Sequence, residues 1–373
     1  MARADSSRAL HREGRVDRAV AALEGSAGTA LLAGPWSVTA TTFVPIGGRA
    51  DEYVHIAEYA WPDERGPELP WVIRDGRVNP AAGQVAADGT KLRELADTVK
   101  ALVTAYWLLG DDRYSTRAVE VLEVWFCGPG TAMHPSLRHA VHVPGHDEAM
   151  TWGLARIHPL LRILEAVQLM ESARVDDGVA HAVRTWCRVL LEWLLDSELF
   201  EAEIERGNNH ATHACELALG LAVFVDDAGA REHALAAAEL IRAQVDEDGS
   251  QPAELARTRP YFYSGYNALA MLRVADLAWC CDVDLFSAQD APKRAVEALL
   301  PELVDPRRRD RASVESSDLD RHGDLLVRAA AAWPGNQRIC DAMVESRILP
   351  GPEHRVWLDV GLDPGVTRVR SAS

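Results

Sequence analysis

Two segments of this chain carry residue types that can take a proton from carbon beside a carboxylate. In Glu205-Arg206-Gly207-Asn208-Asn209-His210-Ala211-Thr212-His213, a polar loop turns into the apolar run Ala214–Val225. Asparagines at such a junction cap helices, and that role alone would account for them. In the second segment, Asp248 to Asn267, Arg257 and Arg259 stand beside Tyr261, Tyr263 and Tyr266, with Pro260 between them. A cation and an ionisable phenol are what such a proton abstraction needs. The cation neutralises the carboxylate on which charge accumulates, and the phenol, which ordinarily ionises near pH ~10, becomes a usable base beside it. Aromatic packing with a solvated arginine pair describes Tyr261 and Arg259 equally well.

The histidines raise a second chemistry. His139, His142 and His146 fall in a segment read as loop, and His210 and His213 lie one helical turn apart. Imidazoles at these spacings can ligate a metal. No cysteine pair or Glu-rich motif accompanies them, so neither a metal nor another cofactor is expected.

Helices must position these residues. In Lys91–Leu109, Leu92, Leu95, Val99, Leu102, Val103 and Tyr106 recur at three- and four-residue steps, and Gly110 with Asp111-Asp112 supplies a stop. Similar patterns predict helices over Ser115–Phe126, Trp152–Ser172, Val179–Leu199, His210–Val225, Ala230–Val245, Tyr266–Cys281, Ala291–Leu300 and Arg321–Trp333. Several are apolar on most faces, which demands neighbours on several sides. A two-layer stack of antiparallel helices, an all-α (α/α) toroid or solenoid, satisfies this better than a four-helix bundle. The first 90 residues are irregular and rich in Pro, Gly and aromatics, and are read as a lid and cleft wall. A charged break, Asp305-Pro306-Arg307-Arg308-Arg309-Asp310-Arg311, precedes further helices and a short strand, Arg355-Val356-Trp357-Leu358. The expected organisation is an N-terminal segment over 1–34, a catalytic domain over 35–304 and a C-terminal extension over 305–373.

Composition sets outer bounds. The 373 residues are 48% hydrophobic, enough for one large core. The formal charge of −17 argues against nucleic acid or an anionic membrane as partner, since both demand a basic face. A polyanionic substrate would need a local basic cleft. The six cysteines lack a short repeated spacing, and most sit in apolar helical runs, the pattern of reduced thiols. No apolar run is long enough to span a membrane, and no secretory signal is evident at the start, so a cytoplasmic location is expected. Nothing in the sequence fixes an oligomeric state.

Taken in order, the segments resemble the alginate lyase family (polysaccharide lyase family 5 and its broader sequence relatives). Asn208-Asn209-His210 is similar to its Asn-Asn-His motif, and Gln251-Pro252-x-Glu254-Leu255-Ala256-Arg257-Thr258-Arg259 with Tyr263-Ser264 to its Arg/Tyr motif. Gly47-Gly48-Arg49-Ala50-Asp51-Glu52-Tyr53 and Tyr59-Ala60-Trp61-Pro62-Asp63 resemble its lid. Arg74-Asp75-Gly76-x-Val78-Asn79-Pro80, Met133-His134-Pro135-Ser136-Leu137 and Val143-Pro144-Gly145 continue the likeness. Each motif alone is weak, but their shared order over two thirds of the chain is specific.

The resemblance implies an (α/α) toroid, an incomplete α/α barrel with a long N-terminal lid loop, and metal-independent β-elimination. It assigns catalysis to Asn209, His210, Arg257 and Tyr263, with Tyr266 as the competing tyrosine. It assigns substrate contacts to Arg49, Tyr59, Trp61, His139, His213, Gln251, Arg259 and Tyr266. The substrate implied is an acidic, 4-linked uronic-acid oligosaccharide. The chain departs from the family at His213, where an aromatic is usual, and at His139-Ala140-Val141, where the family has Tyr-Ala-Gln. The same apparatus acting on a small carboxylate inside the cell is the alternative reading, and a non-catalytic helical binding module is a third.

Overall fold

The computed structural model describes residues 17–66, 68–146, 148, 150–286, 291–304 and 316–345. They fall into two compact units. Among the described residues, the N-terminal unit is drawn from within 26–206 and 220–231, and the C-terminal unit from within 17–25, 207–219 and 232–345.

The N-terminal unit is built on helix Asp88–Leu109, which packs against Asp112–Phe126 and Pro159–Ala173. Its predicted apolar stripe is its buried face: Leu92, Leu95, Val99, Leu102 and Val103 are all inaccessible. Each such side chain contributes on the order of 1.5–3 kcal/mol by leaving water. Gly110, at φ 74°, ends the helix as its spacing predicted, because only glycine adopts that conformation freely. Asp111 then caps the next helix by accepting from the Arg113 N–H.

The irregular stretch that precedes these helices carries three short strands. Val54–Ile56 pairs in parallel with His139–His142, and Ala60–Trp61 pairs antiparallel with Val72–Ile73. The segment holding His139 and His142 is therefore strand, not the loop read from the sequence. The stretch is fastened by Asp88, which is fully buried. Its carboxylate accepts from the Thr41 hydroxyl, the Val54 N–H and the Lys91 ammonium.

In the C-terminal unit, helix Pro260–Trp279 packs against Ala291–Val304 and Ser316–Ala332, and the last of these against Gln337–Glu345. Pro260 occupies the first helical position, where its missing N–H costs nothing. The helix thus begins six residues before the Tyr266 start read from periodicity. Predicted Ala230–Val245 is helix Ala228–Ala238 followed by a 3-10 turn, Glu239–Gln244. The charged break and strand Arg355–Leu358 lie outside the described residues. Among the described residues no helix is long and apolar enough to cross a membrane. None of the six cysteines is in a disulfide; Cys187 and Cys215 are buried.

Candidate active site

The first turn of helix Asn209–Val225 begins the site. Asn208 performs the capping that two asparagines suggested, its Oδ1 accepting from the His210 N–H at 3.0 Å. Asn209 does something else. It is 2% exposed, and both its backbone N–H and its side-chain amide donate to the Glu254 carboxylate. The backbone N–H reaches Oε1 at 2.6 Å, and Nδ2 stands 2.9 and 2.8 Å from Oε1 and Oε2.

Glu254 sits on the short helical turn Pro252–Leu255 and is 1% exposed. Burial pushes its carboxyl upward, opposed by the two bonds from Asn209 and by the charges of Arg257 and His210. A buried amide network holds this turn. Asn267 Nδ2 donates to Gln244 Oε1 and to Gln251 Oε1, each at 2.9 Å. Thr212 Oγ1 donates to Gln244, and Gln251 Nε2 donates to the Ser264 carbonyl. Gln251, expected to touch substrate, is thus 2% exposed with both amide atoms engaged inside the protein.

One turn beyond Glu254, the Arg257 guanidinium lies over the Tyr263 ring, 3.9 Å from its centroid. Tyr263 is 7% exposed and meets Phe262 edge-on at 5.0 Å. Arg259 lies over Phe262 at 4.3 Å. Phe262 in turn stacks on Tyr266 at 5.9 Å, and Tyr266 covers the ring of His213 at 4.2 Å.

His213, also expected at the substrate, is 1% exposed. Its Nδ1 lies 2.9 Å from Glu216 Oε2, and Arg273 Nη1 lies 3.6 Å from Glu216 Oε1. That geometry places the proton on Nδ1, toward the carboxylate. Burial holds His213 below its ordinary value, against the opposing pull of the Glu216 carboxylate. The structure therefore ties Asn209 to the buried carboxylate of Glu254, sets Arg257 over Tyr263, and sets Tyr266 against His213, which meets a second carboxylate, Glu216; sequence reasoning gave neither carboxylate a role. Signals for both existed: Glu254 lies inside the Gln-Pro-x-Glu motif, and Glu216 follows His213 by three on one helix face.

The remaining candidates belong to the N-terminal unit. Arg49 is exposed and makes two 2.8 Å bonds to Asp51 in its own loop. Trp61 is half-buried, its Nε1 donating to the Arg77 carbonyl, with Arg74 over its ring at 5.7 Å. Tyr59 is half-buried. His139 is 2% exposed, 3.8 Å from Glu52, and its ring centroid is 6.0 Å from that of His142. Among the described residues no group of three His, Cys, Asp or Glu side chains is arranged to hold a metal.

Residues 37–309 match the model of the alginate lyase family. Among solved structures, the chain is similar to an alginate lyase from Bacteroides ovatus, at 25% identity and a TM-score of 0.86 over 97% of both chains. Alginate lyase A1-III from Sphingomonas species A1 is similar at 17% identity and a TM-score of 0.52, over 91% of this chain and 92% of that one. A histidine-to-alanine variant of A1-III complexed with a tetrasaccharide is similar at 16% identity and a TM-score of 0.55, over 91% of both. At these last identities the likeness is one of fold. No curated protein matches the chain. The all-α class expected from the sequence, an (α/α) toroid, is the fold these comparisons bear out.

Proposed function

The chain belongs to the alginate lyase family and is a polysaccharide lyase, and from that premise we propose that it cleaves 4-linked uronic-acid glycans, alginate or a related polyuronate, by β-elimination. The observation that carries this reading is the pairing of Arg257 with Tyr263 beside an Asn209 whose amide is held by Glu254. The tetrasaccharide bound to the A1-III variant supports an acidic oligosaccharide as the ligand.

The chemistry follows from charge. Removing the C5 proton of a uronate leaves an electron pair beside the C6 carboxylate, which must then accept a second negative charge. Donors aimed at that carboxylate stabilise the transition state, each bond to a charged oxygen being worth about 1.5–3 kcal/mol. Asn209, His210 and Arg257 are the donors in this reading. Tyr263, as phenolate, takes the C5 proton. The C5 electron pair becomes the C4=C5 double bond as the C4–O4 bond breaks, and the Tyr263 hydroxyl returns a proton to O4. For the opposite C5 epimer, His210 is the base.

Incubation with alginate, glucuronan and related polyuronates, followed by ultraviolet absorbance of the unsaturated product, tests the reading. Absorbance should rise with at least one polymer. A folded protein that produces none from any of them contradicts it.

A further inference from the structure

We propose that Glu254 is the positioning residue of this centre: its carboxylate orients the Asn209 side-chain amide so that one N–H is kept for the substrate. The inference rests on the reading of Asn209 as a donor to the uronate carboxylate.

Three features carry it. First, Nδ2 of Asn209 is nearly equidistant from both Glu254 oxygens, at 2.9 and 2.8 Å. Two oxygens of one carboxylate lie too close together for two amide hydrogens, splayed at a trigonal angle, to reach one each. One N–H is therefore shared between the oxygens and the second points away from Glu254. Second, the Asn209 backbone N–H, at 2.6 Å from Oε1, ties the main chain to the same group, so the amide cannot swing without breaking a buried bond. A carboxylate also accepts only, which excludes the flipped amide that would turn the carbonyl oxygen toward Glu254 and both N–H groups elsewhere. Third, Glu254 is fixed from behind. It lies three residues after Gln251, whose amide is clamped between Asn267 and the Ser264 carbonyl.

The sharpest test changes the acceptor with almost no change of volume. In Glu254→Gln one end of the new amide must serve the Asn209 backbone N–H, and its own NH2 then faces Nδ2. Two donors cannot share that contact, so the Asn209 amide turns over. With wild-type KM retained to within about twofold, kcat should fall about 10²-fold, the cost of a misplaced catalytic group. Adding the substitution to Asn209→Ala should cost less than about threefold more, because Glu254 acts through Asn209. A further loss of about 10²-fold in the double variant would overturn the proposal.

A readout free of turnover separates this inference from the proposed function. With isotope-labelled asparagine, the side-chain NH2 pair of Asn209, assigned by its disappearance in Asn209→Ala, should exchange slowly in the wild type. It should shift and exchange at least about tenfold faster in Glu254→Ala. Unchanged signals in Glu254→Ala, with a retained thermal transition, would overturn the inference whether or not any polyuronate is cleaved. Loss of the polymer activity alone would overturn only the substrate reading.

Discussion

Arg257 stands face-on to Tyr263, its guanidinium carbon 3.9 Å from the ring centroid. A cation in this position interacts with the ring whether the phenol is neutral or ionised, and more strongly with the phenolate, whose charge spreads into the ring. In the proposed mechanism the pair would couple the base to the group that neutralises the substrate.

Tyr263→Phe keeps that ring and its cation contact while deleting the hydroxyl. Turnover should vanish while substrate binding, read by calorimetry, stays within about threefold of wild type. A fully active Tyr263→Phe would move the role to Tyr266, whose ring lies tilted against His213.

Arg257→Lys retains charge but loses the planar fork that can lie on a ring and donate to a carboxylate together. Activity should fall by about 10²–10³-fold in kcat/KM, the scale of removing one preorganised donor. A lysine variant within tenfold of wild type would show that only the charge matters.

Several buried histidines predict loss of stability in mild acid. Burial lowers His55 to about 3 and His142 to about 4, and it also lowers His139 and His213. Below their ordinary value of 6.5 the unfolded chain binds protons that the fold refuses, so stability is fully present above pH 6.5 and falls as pH drops. The slope is up to about 1.4 kcal/mol per pH unit per histidine, ending for His142 near pH 4. Glu254, raised by burial, works in the opposite sense, since its contribution is largest below its ordinary value and is lost as pH rises. Urea unfolding from pH 7 to 5 should show the decline, and His142→Asn should make it shallower while the other histidines keep it from vanishing. A stability constant over that range would contradict the account.

Asp88 should matter for the irregular N-terminal stretch more than for the chemistry. Asp88→Ala leaves the buried Val54 N–H without its acceptor, while the Lys91 ammonium keeps the Thr41 hydroxyl and the Ser37 carbonyl, a loss of about 1–3 kcal/mol for one unsatisfied buried donor. Limited proteolysis should then cut between residues 41 and 54 first. Wild-type resistance there would show that Asp88 is not its anchor.

Much of this was legible in the sequence. Helix Asp88–Leu109, its glycine stop and the start of helix Asn209–Val225 follow from periodicity and capping, which act within a few residues. The bond from Asn209 to Glu254 spans 45 residues, and no local rule supplies a partner at that distance. For the same reason Gln251 looked like a substrate ligand, although its amide closes a network with Asn267 and Gln244. The strand His139–His142 escaped because its burial on every residue leaves no polar alternation to read, and its partner Val54–Ile56 lies far upstream. Pro260 reads as a breaker, yet as the first helical residue it begins the helix that presents Tyr263.

Elimination and hydrolysis of a glycan differ by one molecule of water, and that difference tests the central claim most directly. Products made in heavy-oxygen water from the polyuronate that responds should be analysed by mass spectrometry. Elimination places no solvent oxygen in the product, so with reducing ends trapped by borohydride before they exchange with solvent the account predicts unlabelled fragments with an unsaturated, water-deficient end. Saturated fragments carrying the heavy oxygen would contradict it.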